Sequence, residues 1–273
     1  MKTETKLQEQ TVQSTMLLPV YGRAKASRMF PGILYDEGAI QIVDGMDYDF
    51  KNIDKNYGTE YICLCCLLRA KRFEERCLSY MKNHPNGTVI NLGSGLDMTF
   101  ERVDNGSIHW YNIDLPDAIA FRKQYIPNKE RSTDIAKSML DYSWLDDIET
   151  TDGSVFIIAG GLFYYFEEKV LRELICKITS HFKSGDVFFD AQSKTAVKVS
   201  NRMVRKTGNK GSMMYFSVNN PQELKSWSPN IRQIESVEFF GKSRKNKAFK
   251  RSTRILIWAL EKLKMGSLIS IQW

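Results

Sequence analysis

The sequence predicts an α/β protein of Rossmann-like class, built on a mostly parallel sheet of seven strands. Three observations carry this. From residue 88 onward, short β-rich runs alternate with helical patterns, as strand–crossover–strand units require. Thr88-Val89-Ile90-Asn91-Leu92 reads as a buried strand and runs directly into Gly93-Ser94-Gly95. The following strand closes on Asp114, an acid nineteen residues past Gly95.

The 273 residues are 42% hydrophobic and 12% aromatic, enough to bury a large core, which excludes wholesale disorder. No apolar run approaches the ~18 residues of a membrane span, and Met1 to Lys6 lead into no apolar stretch of a secretory signal. The expectation is a cytoplasmic protein without a membrane partner. Five cysteines, at 63, 65, 66, 77 and 176, form no paired Cys-x-x-Cys, and the histidines are only His84, His109 and His181. The cysteines read as small apolar residues on a helix, and no metal is expected.

Residues 1–58 read as irregular structure with short helices, because Phe30-Pro31-Gly32, Asp44-Gly45 and Tyr57-Gly58 are turn signals. Glu60 to Lys82 reads as a helix, with Ile62, Cys66, Ala70, Phe73 and Cys77 on one apolar stripe. Arg69 projects at the edge of that stripe, where a guanidinium needs an anion or must reach water. Strands follow at Thr88–Leu92, Ser107–Ile113, Arg131–Ala136, Ser154–Ala159 and Asp186–Ala191, with an amphipathic helix from Glu167 to Phe182 between the last two. Ile234–Phe240 reads as a strand, Thr253–Lys264 as a helix and Ser267–Trp273 as a final strand.

Net charge is +7, and its distribution is uneven. Lys242 to Arg254 holds seven bases and no acid, leaving 32 bases against 32 acids elsewhere. Lys194 to Lys210 is a second acid-free stretch. Both read as basic, solvated insertions, over 193–216 and 242–254, with Phe249 the one apolar anchor of the second.

The glycines at i and i+2 let the backbone turn sharply and let a ligand approach where a Cβ would clash. An acid at the end of the second strand is where nucleotide folds hold a ribose diol. The third glycine of the dinucleotide fingerprint would fall at Met98, which disfavours a pyrophosphate. A ligand with ribose and adenine but no phosphates fits better, and S-adenosylmethionine is such a ligand.

Asn-Leu-Gly-Ser-Gly-Leu-Asp at 91–97 and Trp-Tyr-Asn-Ile-Asp-Leu-Pro at 110–116 resemble the leucine carboxyl methyltransferase family. The narrower likeness is to its bacterial branch of polyketide-type, tetracenomycin-like O-methyltransferases. Arg69-Ala70-Lys71-Arg72-Phe73, Leu140-Asp141-Tyr142-Ser143-Trp144 and Ala159-Gly160-Gly161-Leu162-Phe163-Tyr164-Tyr165-Phe166 extend it. The resemblance implies a single domain of the class I methyltransferase fold. Its last strand is antiparallel, and a helical lid (1–82) covers a cofactor-binding core (83–273). It implies that Gly93, Ser94 and Gly95 line the methionine and ribose of S-adenosylmethionine, with Asp114 on the ribose and Leu115 against adenine. Arg69 would pair with the methionine carboxylate. Ser138 and Met139 stand where the family commonly has Asp-Leu at the adenine amine, and Ala159 ends the fourth strand beside the cofactor. Tyr164 and Tyr165 are candidates for the acceptor pocket. No catalytic base is legible in the residues.

The function expected is methyl transfer to a hydroxyl or carboxyl of a small molecule. Two alternatives remain, an RNA methyltransferase and a non-catalytic S-adenosylmethionine-binding protein. Against the first, 159–162 lacks the Asn/Asp-Pro-Pro-aromatic turn of base-amine methylators, and no Pro-Cys is present.

Overall fold

The computed structural model describes residues 12–207 and 212–273. Seven strands form one sheet: β1 (Thr88–Leu92), β2 (His109–Asp114), β3 (Ser132–Ala136), β4 (Ser154–Ala159), β5 (Ser184–Gln192), β6 (Gln233–Glu238) and β7 (Gly266–Gln272). Their spatial order is β3-β2-β1-β4-β5-β7-β6. The pairings among β1 to β5 are parallel, while β7 runs antiparallel to both β5 and β6. The last strand is therefore the one reversed strand, as expected.

Alternation along the central strands divides the core in two. Ile90, Leu92, Val155, Ile157 and Phe189 face α7 (Glu168–His181), which buries Leu171, Leu174, Ile175 and Ile178 against them. Val89, Phe156, Ile158 and Phe188 point the other way and meet Phe73, Cys77 and Met81 of α4 (Glu60–Asn83). Burial on both faces is why these strands read as continuous apolar runs. Thr59 begins α4 by accepting a hydrogen bond from the Ile62 amide.

The N-terminal region departs from expectation. Where short irregular pieces were expected, α1 runs unbroken from Val12 to Met29 with Pro19 inside it. Packing outweighs the local breakers here. Gly22 sits at the crossing with α4, where a Cβ would come within 2.7 Å of Cys66 Sγ, so the glycine serves close helix contact. Two shorter helices, α2 (Glu37–Gly45) and α3 (Lys51–Tyr57), follow. Leu17, Val20, Ala24, Ile42 and Met46 pack together with Leu96 of the glycine loop and Phe121. The helical region thus rests on the carboxyl edge of the sheet. Residues 1–11 lie outside the described chain.

The first basic insertion is also corrected. Lys194–Thr207 is a helix, burying Ala196 and Val197, rather than a solvated loop. Its basic residues recur with apolar ones at helical spacing, a pattern that charge alone hides. Residues 208–211 lie outside the described chain. The second insertion is a short 3-10 turn, Gly241–Lys245, and a bend leading into a helix that starts at Arg251. Phe249 is its anchor, packed with Phe30, Leu64, Leu68, Phe240 and Ile257. Phe249→Ala should destabilise the protein by about 3–5 kcal/mol in urea titration. Lys247→Ala, at an exposed position two residues away, should stay within about 0.5 kcal/mol.

Candidate active site

The sheet order reverses between β1 and β4, and the crevice at such a point is where α/β sheets bind ligands. Register carries the expected residues to this carboxyl edge. Leu92 pairs with Ile113 and Asp114 with Ala136, so Gly93, Asp114 and Ser138 emerge side by side beyond β1, β2 and β3. Ala159 closes β4 beside Phe189 and is buried in the core, with Tyr164 and Tyr165 in the turn beyond it.

The glycine loop is held from outside by buried arginines. Gly93 and Gly95 take φ of +63° and +45°, left-handed values that side chains rarely adopt. Arg122, at the end of α6 (Pro116–Arg122), donates to the carbonyls of Gly95 (2.9 Å) and Asp97 (2.7 Å). Arg23 of α1 donates to the Leu96 carbonyl at 2.7 Å and to Asp36 at 2.7 Å. Burial pushes the Asp36 carboxyl up, but Arg23 and Arg102 outweigh it and hold it below the usual range. Three successive carbonyls of the loop are thereby occupied. Neither Arg23 nor Arg122 was among the expected site residues. Each interrupts an apolar helix stripe, the same signal that marked Arg69.

Asp114 lies against this loop. Its two oxygens accept from the amides of Gly95 and Leu115, both at 2.8 Å. Burial pushes its carboxyl above the usual range, although those amides and Arg122 pull the other way. Each oxygen retains lone-pair capacity for a hydroxyl. Ser94, 3% exposed, has a buried Oγ with no hydrogen-bond partner among the described residues. A buried hydroxyl left unpaired is costly and points to a polar group that would meet it. A Cβ at Gly93 would come within 2.8 Å of the Leu162 side chain and one at Gly95 within 3.3 Å of Met16, so side chains rather than backbone cover the two glycines.

Arg69 has its anion within the chain. Its Nη1 lies 3.2 Å from Asp190 Oδ2 and donates to the Tyr164 hydroxyl at 3.4 Å. The other Asp190 oxygen accepts from the Gly161 amide at 2.6 Å. Asp190 was not foreseen, though an acid ending the apolar run Val187-Phe188-Phe189 is a visible signal. Both contacts use Nη1, which leaves the other donors of the guanidinium for a second anion. Tyr164 and Tyr165 meet edge to face at 4.8 Å. The Tyr164 carbonyl accepts from the amides of Tyr215 and Phe216, so the chain at 215–216 lies against this turn.

The adenine-side candidates divide. Ser138 is half-buried at the edge, where its Oγ accepts from the Leu140 amide. Met139 is buried in the core cluster with Ile113, Ile135 and Trp144. Leu115 is half-buried at the start of α6. His84, His109 and His181 precede or begin β1, β2 and β5, which places all of them at the opposite, amino edge. The cysteines are free, and burial pushes the Cys63 and Cys65 thiols up to about 12. Among the described residues, no three His, Cys, Asp or Glu are grouped to hold a metal. No described helix is long and apolar enough to cross a membrane.

Comparison with known proteins agrees with this geometry. The leucine carboxyl methyltransferase family profile matches residues 17–179, more than half of the chain. The tetracenomycin polyketide synthesis O-methyltransferase TcmP of Streptomyces glaucescens is 27% identical over 224 residues, covering 81% of this chain and 80% of TcmP. The S-adenosyl-L-methionine-dependent methyltransferase dpfgK of Gibberella zeae is 25% identical over 246 residues, covering 82% and 81%. A crystal structure described as a methyltransferase from Thermobifida fusca superposes with a TM-score of 0.58 at 11% identity, covering 92% of this chain and 93% of that one. The chain belongs to the leucine carboxyl methyltransferase family and is an S-adenosylmethionine-dependent methyltransferase.

Proposed function

We propose that this enzyme methylates an oxygen, a hydroxyl or carboxyl, of a small-molecule acceptor. The observation that carries the reading is the clamped glycine loop, with the unpartnered Ser94 hydroxyl and the Asp114 carboxylate beside it. These residues fit S-adenosylmethionine: Asp114 would accept the ribose hydroxyls and Ser94 would meet a polar group of the bound cofactor. Gly93 and Gly95 would give close backbone approach once Leu162 and Met16 move aside. The spare donors of Arg69 would hold the methionine carboxylate. Leu115, Ser138 and Ala159 would flank the cofactor, and Met139 would support that wall from the core.

The bound cofactor supplies an electrophilic methyl on a sulfonium, so the protein's work is alignment and exclusion of water. Tyr164 and Tyr165, in the turn against which the chain at 215–216 lies, are suited to that exclusion on the acceptor side. Burial pushes the Tyr164 phenol well above its usual range, which keeps it neutral and a hydrogen-bond donor. O-methylation is supported by the likeness to TcmP along most of both chains.

Calorimetry with S-adenosylhomocysteine tests the cofactor site. Asp114→Ala should weaken binding by about 1–3 kcal/mol through lost charged hydrogen bonds, and an unchanged affinity would remove Asp114 from the site. The raised value of Asp114 gives a sign to the pH dependence. Ribose hydroxyls donate to the carboxylate, so affinity should fall as pH drops through that raised value, earlier than an ordinary carboxylate would allow. In Asp114→Asn this fall should flatten.

Arg69 needs two variants, because its loss strands Asp190. Arg69→Met alone should destabilise the fold by about 3–5 kcal/mol, the usual cost of breaking a buried pair. Arg69→Met with Asp190→Asn should recover most of that stability in thermal unfolding. Weakened S-adenosylhomocysteine binding in the stable double variant would show that Arg69 serves the cofactor; unchanged binding would make its role structural.

A further inference from the structure

The chain carries a surface that methyl transfer leaves unused. The final helix, α9 (Arg251–Lys262), buries Thr253 and Ile257 on its inner side. Arg251, Ile255, Trp258 and Lys262 recur at helical spacing on the opposite side, all exposed. Ile255 and Trp258 are each 57% exposed, Leu256 41% and Leu263 68%. This apolar patch follows the acid-free segment that accounts for the whole net charge of the chain. Within that segment Arg244 is paired, with Glu261 and Glu238. Lys242, Lys245, Lys247, Lys250, Arg251 and Arg254 have no carboxylate within ion-pair distance among the described residues.

The combination selects among partners. A second copy of the chain would bring these cations face to face across a two-fold axis, which opposes self-association through this surface. Nucleic acid would match the charge but leave Ile255, Leu256 and Leu263 in water. A bilayer with anionic headgroups takes both: phosphates meet the lysines and arginines, the indole sits at the interface, and the aliphatic side chains enter the acyl boundary.

We propose that the 242–263 surface docks the enzyme on an anionic phospholipid bilayer, with α9 lying in the plane of the interface. That no helix among the described residues is long and apolar enough to span is compatible with this, since a surface helix buries one stripe and crosses nothing. The expectation of no membrane partner rests on the lack of a long apolar run, which a surface-bound helix does not require.

Co-sedimentation of the full chain with vesicles tests the proposal, at about 0.1 M salt, where screening already acts beyond ~10 Å. The protein should partition onto an equal mixture of phosphatidylcholine and phosphatidylglycerol and not onto phosphatidylcholine alone. Ile255→Ser with Trp258→Ser, and separately Lys245, Lys247, Lys250 and Arg251 all to Gln, should each reduce partitioning at least about tenfold. Thermal midpoint and S-adenosylhomocysteine affinity should be unchanged in both, because these side chains are exposed and remote from the glycine loop. Failure of the unaltered protein to bind mixed vesicles would overturn the proposal. So would binding that survives the Ser pair undiminished, a lipid-free dimer that the Ser pair dissociates, or RNA binding that vesicles do not displace.

Discussion

Three guanidiniums carried on apolar helix stripes set the terms for the rest of this molecule. Arg23, Arg69 and Arg122 are each pulled inward by the side chains around them, and a buried cation without partners is far too costly to keep. Each is satisfied at the same place, the carboxyl edge of the sheet. Arg23 and Arg122 take the carbonyls of Gly95, Leu96 and Asp97, while Arg69 takes Asp190. Satisfying them ties α1, α4 and α6 to the loop and to β5. The helical N-terminal region is therefore positioned by charge as well as by its apolar contacts.

That arrangement has a chemical consequence. A glycine loop is conformationally loose by itself, since glycine loses more backbone freedom on ordering than any other residue. Here its carbonyls are held by the arginines, and its amides are bonded too, Gly93 and Ser94 to the Ile113 carbonyl and Gly95 to Asp114. Binding a ligand there then costs less ordering of the loop, which is how pre-organisation raises affinity. The order reversal between β1 and β4 supplies the crevice, and the arginines keep its floor in shape.

Much of this was legible along the chain. Strands β1 to β5, the glycine turn, the spaced Asp114 and the need of Arg69 for an anion are all local patterns of apolar period, turn chemistry and misplaced charge. The partner of Arg69 was not legible, because Asp190 lies 121 positions away and no spacing rule links them. The long α1 was not legible in a stretch read as irregular with short helices, since packing on α4 holds it together despite Pro19 and makes use of Gly22. The 194–207 helix was concealed for a related reason: its charge is conspicuous, whereas the burial of Ala196 and Val197 exists only against β5 and its neighbours.

By itself, then, the sequence determined the secondary elements of the core, the seven strands and the chemistry offered by the glycine turn and Asp114. Those features depend on residues close together in the chain, where backbone sterics and hydrophobic period act directly. The tertiary structure decided which anion meets Arg69, which arginines brace the loop, which basic stretch becomes a helix and which apolar side chains of α9 stay in water. Each of those depends on bringing distant segments into contact, and a single chain read in order carries no distance between them.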